Sequence, residues 1–295
     1  MSNSHPLVQI DKLQCKAAFN QAAPRYDEYA VLQREVGSRL FERLDLMKLL
    51  PKTILDIGAG TGTCSSVLRK RYTNANVIAL DMAVAMLLQA KHNCNWFVKN
   101  ISRKQLFVCG DAEAIPLADN SVDLLFSNLT LQWCSNLDDV FSEFRRVLKP
   151  GAALLFSTLG PDTLKELRSA WAHADSNIHI HDFIDMHDVG DAMLRSGLVD
   201  PVMDMETITL TFSTATQLMK ELKFLGAHNA SRDRSPGLTG KKRLQTVIES
   251  YEKFRVNGKL PATYEVVYGH AWIAENTQAP NPNSIVVAPP RRNRR

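Results

Sequence analysis

Three glycines at alternate positions, Gly58, Gly60 and Gly62, sit in Leu55-Asp56-Ile57-Gly58-Ala59-Gly60-Thr61-Gly62-Thr63, directly after the apolar run Thr53 to Ile57. At the C-terminal end of a strand, residues without Cβ let the backbone turn sharply and come close to a ligand, and a helix N-terminus follows. Asp81 ends the next apolar run, 23 residues after Gly58, where a carboxylate can accept both hydrogen bonds of a ribose diol. Asp111 and Glu113, in Gly110-Asp111-Ala112-Glu113-Ala114-Ile115-Pro116, follow a third run, where a carboxylate could take an adenine amino proton. Asn128 ends a fourth. Each acid alone reads equally well as a helix N-cap. One nucleoside ligand accounts for all of them.

Such groups meet only if the runs lie side by side. Thr53 to Ile57, Ala75 to Leu80, Leu106 to Cys109, Val122 to Ser127 and Ala152 to Ser157 read as strands, with helices over Ala83 to Lys91 and Val140 to Leu148. This βαβ rhythm predicts a parallel sheet covered by helices on both faces. Later come helices near Leu164 to Ala174 and Val189 to Ser196, the second stopped by Gly197, and β runs at Thr207 to Phe212 and Tyr264 to Ile273. Between those runs lie helices at Leu218 to Leu225 and Leu244 to Phe254. Ahead of the sheet, Lys16 to Tyr29 and the i, i+4 ladder Leu32, Val36, Leu40, Leu44 read as helical.

The 295 residues are 45% apolar and 22% charged, enough apolar side chain for a real core and too much for a disordered chain. Net charge is +4, too mild to argue for nucleic acid. Its distribution says more: from Thr216 onward there are 14 Lys+Arg against 6 Asp+Glu, leaving 21 against 25 before it. The five scattered cysteines (Cys15, Cys64, Cys94, Cys109, Cys134) contain no C-x-x-C pair and fit neither a disulfide framework nor a zinc site. No apolar run nears the roughly 20 residues of a membrane span. With a polar, leaderless opening at Met1 to Asp11, a cytoplasmic protein is expected.

The motifs Asp56-x-Gly58-x-Gly60-x-Gly62, Asp81, Gly110-Asp111-Ala112-Glu113 and Ser121-Val122-Asp123 resemble those of class I S-adenosylmethionine-dependent methyltransferases. The NAD dehydrogenase pattern wants Gly or Ala where this chain has Thr63. Outside the cofactor motifs, Phe19 to Asp27, Leu32 to Gly37, Asn128 to Trp133, Phe156 to Thr163, His181 to Asp188, Gly226 to Asn229 and Pro261 to Tyr264 are similar to the malonyl-[acyl-carrier protein] O-methyltransferases of biotin synthesis. The resemblance runs from about Lys16 to Trp272.

It implies a seven-stranded Rossmann-like α/β sheet with an N-terminal helical lid (1–50), a methyltransferase domain (51–275) and a basic helical insertion (213–262) before the last strand. The tail, 276–295, is expected to be disordered. S-adenosylmethionine would be bound by Asp56, Gly58, Gly60, Gly62, Asp81, Met82, Asp111, Ala112 and Asn128. The implied reaction methylates the free carboxylate of a malonyl thioester, which masks its charge and lets fatty-acid enzymes elongate it toward pimelate and biotin. That carboxylate is ionised at neutral pH, so alignment and desolvation are needed rather than a general base or a metal.

Tyr26, Gln132, Trp133 and His181 are candidates for the substrate pocket, with a cation from Arg25 or the insertion. His179-Ile180-His181 lacks partners at metal-ligand spacing, and Asp185 and Asp188 read as N-caps. The insertion carries Lys220, Lys223, Arg232, Arg234, Lys241, Lys242, Arg243, Lys253, Arg255 and Lys259 against Glu221, Asp233, Glu249 and Glu252. Lys241, Lys242 and Arg243, joined by Arg145 and Arg146 if the fold brings them near, are expected to dock an acidic acyl carrier protein. Three other readings remain: a methyltransferase for another small acid, an arginine hydroxylase like the similar mitochondrial complex I assembly factor, and a binding module without catalysis.

Overall fold

The computed structural model describes residues 10–94, 105–227, 229–230 and 240–275. The tail from 276, His228, and Arg232, Asp233, Arg234, Pro236 and Gly237 of the insertion lie outside the described residues. Strands β1 (Thr53–Ile57), β2 (Asn76–Asp81), β3 (Gln105–Cys109), β4 (Val122–Asn128), β5 (Leu148–Leu159), β6 (Val199–Phe212) and β7 (Leu260–Trp272) form one sheet ordered β3-β2-β1-β4-β5-β7-β6. Strands β1 to β5 pair in parallel, and β7 runs antiparallel between β5 and β6. From β1 the chain steps outward to β2 and β3 and then returns to β1's other side for β4. The C-terminal ends of β1 and β4 therefore flank a crevice at the switch point, where ligands of open α/β sheets bind.

Helices α1 (Lys12–Ala22), α2 (Tyr26–Tyr29) and α3 (Val31–Asp45) precede the sheet. Helices α4 (Thr63–Arg71), α5 (Val84–Asn93), α6 (Leu137–Val147), α7 (Lys165–Ala172) and α8 (Met186–Arg195) connect its strands, and α9 (Ala215–Phe224) and α10 (Lys241–Tyr251) lie between β6 and β7. Successive strand residues point to opposite faces, so Ile54 enters one core layer and Leu55 the other. The first layer takes the α3 ladder Leu32, Val36, Leu40 and Leu44 together with Leu167 of α7, Leu218 of α9 and Val247 of α10. Val36, Leu40 and Leu44 have no exposed surface, and each such burial contributes roughly 1.5–3 kcal/mol. The second layer takes Phe141 and Phe144 of α6 and Val189 and Met193 of α8.

This layering corrects one expectation. Helices α6 and α10 belong to opposite faces of the sheet, so Arg145 and Arg146 do not join the basic insertion. Arg146 instead pairs with Glu143 and Asp119 and donates to the Ile115 and Leu117 carbonyls. Strand β6 also starts eight residues earlier than its Thr-rich alternation predicts. Its first half pairs with β7 on one side only and stays half exposed, with the register shifting around Pro201. Among the described residues, no helix is long and apolar enough to cross a membrane.

Candidate active site

The turn after β1 adopts left-handed backbone at Gly58 (φ +66°), Gly60 (+54°) and Gly62 (+83°). A Cβ on Gly58 would collide with the Thr130 side chain, and one on Gly62 would lie 2.9 Å from the Ala90 Cβ. Glycine is thus required there by space as well as by φ. Beneath the turn, Asp56 is 1% exposed and accepts a 2.6 Å hydrogen bond from Ser65 Oγ. Burial, opposed by Ser65, pushes its carboxyl up to about 7. Asp81 accepts from the Gly60 and Ala83 amides at 2.9 and 2.8 Å, one on each oxygen. Burial raises this carboxyl as well, against the pull of those two N–H groups. Each oxygen keeps a lone pair for a ribose diol.

A cavity of about 670 Å³ opens over this turn. It is lined by Gly58, Gly60, Asp81, Met82, Ala112 and Asn128 from the expected cofactor set, and by Tyr26, Gln132, Trp133 and His181 from the expected substrate set. Asn128 is held at the end of β4 by donating to the Gln33 carbonyl (2.9 Å) and accepting from Ser157 Oγ (2.8 Å). Gln132 donates to the Leu129 carbonyl at 2.8 Å. Trp133 packs edge-on against Phe19 of α1, with ring centroids 5.3 Å apart, and lies equally close to His181. His181 is 4% exposed, and burial pushes its imidazole down to about 4. It is neutral at physiological pH and supplies no counter-charge. Burial and the nearby Asp81 charge push the Tyr26 hydroxyl above its ordinary range, so it stays a neutral phenol.

Three of the expected cofactor residues stand off the cavity wall. Asp56 and Gly62 lie behind the turn they shape. Asp111 is held by Lys12 of α1, whose Nζ contacts its two oxygens at 2.7 and 2.6 Å and Glu113 Oε2 at 2.6 Å. Lys241, Lys242 and Arg243 occupy the exposed first turn of α10. That helix packs on α7, whose Leu167 and Trp171 line the cavity. Arg25 is engaged by Glu28 and Tyr29. Among the described residues, no group of three or more His, Cys, Asp or Glu is arranged to hold a metal.

The cavity continues past the cofactor turn along an apolar wall formed by Leu167 and Trp171 of α7, Leu210 and Phe212 of β6, and Leu218 and Leu222 of α9. Lys223 is the one lysine or arginine among the described residues lining it.

A model of the methyltransferase domain matches residues 55–156. The malonyl-[acyl-carrier protein] O-methyltransferase of Gallionella capsiferriformans is 50% identical over 264 residues, covering 89% of this chain and 91% of that protein. The enzyme of the same name from Nitrosospira multiformis is 47% identical, covering 95% and 93%. The chain belongs to the malonyl-[acyl-carrier protein] O-methyltransferase family. Among solved structures it resembles the YcgJ protein of Bacillus subtilis (TM-score 0.56, 17% identity, covering 81% of this chain and 99% of that one). It also resembles the [4+2]-cyclase SpnF (TM-score 0.50, 16% identity, 81% of each chain). A cyclase on this fold illustrates why the sheet alone does not identify the reaction.

In this family member S-adenosylmethionine is the methyl donor, and the residues fit it. At Gly60, on the cavity wall, a Cβ would meet nothing nearer than the Gly58 carbonyl oxygen at 4.0 Å, so it would take up open space beside the cavity, and Asp81 on the same wall keeps an acceptor position on each oxygen. Sequence reasoning took Phe19 only as part of a family-like segment and missed Gln14 of α1 and the apolar wall. Nothing in their spacing marks them, because they reach the cavity only through the packing of α1, α7 and α9.

Proposed function

We propose that this chain transfers a methyl group from S-adenosylmethionine to the free carboxylate of malonyl-[acyl-carrier protein]. The observation that carries the reading is the continuity of one cavity from the glycine turn to the helical insertion, with Lys223 on its wall. The activity printed for the relatives supports it.

The cofactor supplies an electrophilic methyl on a sulfonium. Asp81, with an acceptor position left on each oxygen, would hold the ribose, and the bare backbone of Gly58 and Gly60 would receive the rest of the cofactor. Tyr26, Gln132 and Trp133 line the same cavity and would exclude water from around the methyl group, while neutral His181 shapes the wall beside them. Lys223 draws the carboxylate into line without burying it in a tight ion pair, which would blunt its nucleophilicity. No residue needs to remove a proton, since the acceptor is already an anion.

Lys241 and Lys242, with Arg243, face outward and would meet an acidic carrier, whose charge steers and orients the encounter. The phosphopantetheine arm would then follow the apolar wall inward. Helices α1 and α2, which give Gln14, Phe19, Tyr26 and Tyr29 to the cavity wall, would act as the lid, while α3 belongs to the core. Five free cysteines suit the reducing cytoplasm in which we place the reaction.

Incubation with methyl-labelled S-adenosylmethionine and malonyl carrier protein, malonyl coenzyme A or free malonate tests the assignment. Labelled methyl ester on the malonyl carrier is the expected result. Label on free malonate in preference to the thioesters, or on a protein arginine, would overturn it.

A further inference from the structure

His179-Ile180-His181 belongs to no metal-holding group among the described residues, yet all three residues line the cavity. Each imidazole has one nitrogen committed and one left over. His179 donates from Nε2 to Asp175 at 2.8 Å, and its Nδ1 makes no hydrogen bond among the described residues. A neutral ring whose Nε2 proton is held by a carboxylate presents Nδ1 as a lone pair. His181 is 4% exposed, and its Nε2 is buried without a hydrogen-bond partner. Its hydrogen bond with the Gln132 main chain therefore falls on Nδ1, and that bond favours the protonated ring, as an accepting carbonyl does. In the neutral ring the lone pair is then on Nε2. A buried acceptor left unpaired is costly, and only a ligand that brings a donor relieves it.

The two rings are ordered along the route that the proposed reaction needs. His181 lies beside Trp133, ring centroids 5.3 Å apart, on the segment that follows β4 and Asn128. His179 stacks on Trp171 of α7 at 3.6 Å, and the Asp175 carboxylate that orients it is bridged at 3.1 Å by Arg243 in the first turn of α10. One ring thus stands toward the cofactor turn and the other toward the docking turn. The phosphopantetheine arm carries two secondary amides, a β-alanine unit apart. Drawn out of water along a wall of Leu167, Leu218 and Leu222, each N–H needs an acceptor. Their separation is of the same order as the roughly 7 Å that two residues of chain can span.

We infer that the His-x-His pair reads the two amide N–H groups of the pantetheine arm: His181 Nε2 accepts from the inner amide, next to the thioester, and His179 Nδ1 from the outer one. Asp175 is the positioning residue that holds the His179 ring. The inference rests on the proposed reaction and adds to it the subsite that separates a pantetheine thioester from a bare acid.

Malonyl-pantetheine and two analogues, each with one amide N–H replaced by CH2, are compared as methyl acceptors of the full-length protein. In wild type each replacement should lower kcat/KM roughly tenfold or more, as an unpaired buried acceptor requires. In His181→Phe the inner replacement should cost nothing further while the outer one keeps its full cost. In His179→Phe the pattern should reverse, and Asp175→Ala should diminish the outer preference alone. His181→Gln and His179→Asn, which return an oxygen near the lost nitrogen, should each restore its own preference. Melting temperatures control for folding, and the wild-type series needs no variant. Equal turnover of the three thioesters by wild type, or a loss that falls on the wrong amide in either Phe variant, would overturn the pair and leave the methylation standing. No methyl ester from any of the thioesters would overturn both.

Discussion

Arg243 Nε lies 3.1 Å from Asp175 Oδ2, and the other oxygen of Asp175 is 2.8 Å from His179 Nε2. His179 in turn stacks on Trp171, centroid to centroid 3.6 Å, and both rings line the cavity. The three cations at the start of α10 are therefore not equivalent. Lys241 and Lys242 belong to the surface, whereas Arg243 also braces the cavity wall. The double reversal Lys241→Glu/Lys242→Glu should lower kcat/KM on the malonyl carrier about tenfold at low salt, with the gap closing as salt screens the encounter. S-adenosylhomocysteine affinity should not move. Arg243→Glu should additionally lower kcat at saturating carrier. Steady-state rates across a salt series check both, and full activity in the double variant at low salt would remove the docking surface from the proposal.

Gly58 and Gly60 share a left-handed backbone but not the same surroundings. At Gly58 a Cβ meets the Thr130 side chain, while at Gly60 the nearest atom is the Gly58 carbonyl oxygen 4.0 Å away. Gly58→Ala should cost about 2–4 kcal/mol of stability and abolish cofactor binding, because strain and collision add. Gly60→Ala should cost only about 1 kcal/mol from its φ. Chemical denaturation of the two variants side by side checks the ordering.

Asp56 and His181 should tilt the pH dependence of stability in opposite directions. An acid that titrates near 7 when folded and near 3.8 when unfolded holds its proton more tightly in the fold, so its contribution is present at low pH and lost as pH rises through 7. Asp56→Asn should therefore gain roughly 2–4 kcal/mol relative to wild type at pH 8 and little at pH 4. Ser65→Ala, which removes the bond opposing that rise, should steepen the wild-type decline. Melting temperatures between pH 4 and 8 report this, and a flat difference between wild type and Asp56→Asn would contradict it.

For His181 the imidazole drops from its ordinary 6.5 to about 4. A base that binds its proton less tightly when folded contributes stability above pH 6.5 that is lost as pH falls toward 4. His181→Phe should blunt acid unfolding over that window. In wild type, kcat/KM should show no inflection from this imidazole between pH 6 and 8, which a pH–rate profile tests.

Lys223 lines the cavity and is the proposed partner of the acceptor's carboxylate. Lys223→Met should raise KM for malonyl carrier protein roughly tenfold, as loss of a hydrogen bond to a charged group does, and leave S-adenosylhomocysteine affinity unchanged. An unchanged KM would hand the carboxylate to another group.

The glycine turn, the strand-end acids and the ladder Leu32, Val36, Leu40, Leu44 were legible because each is a local pattern. A positive φ wants glycine, a parallel strand ends on its ligand, and a 3.6-residue period makes a buried face. Five strands and their rhythm follow from the same rules. The first half of β6 was not legible. Its residues lack a clean alternation and become a strand only because β7 offers a ladder.

The site divides in the same way. Residue types and spacing by themselves determined the fold class, the nucleoside-binding turn and the presence of a basic insertion. Only the tertiary structure decided that Asp111 is taken by Lys12, that Gln14 and Lys223 reach the cavity, and that Arg145 and Arg146 lie across the sheet from α10. Those outcomes depend on which face each helix buries, and burial is settled by contacts between segments far apart in the chain, 161 residues for Arg43 and Asp204, rather than by any segment's own sequence.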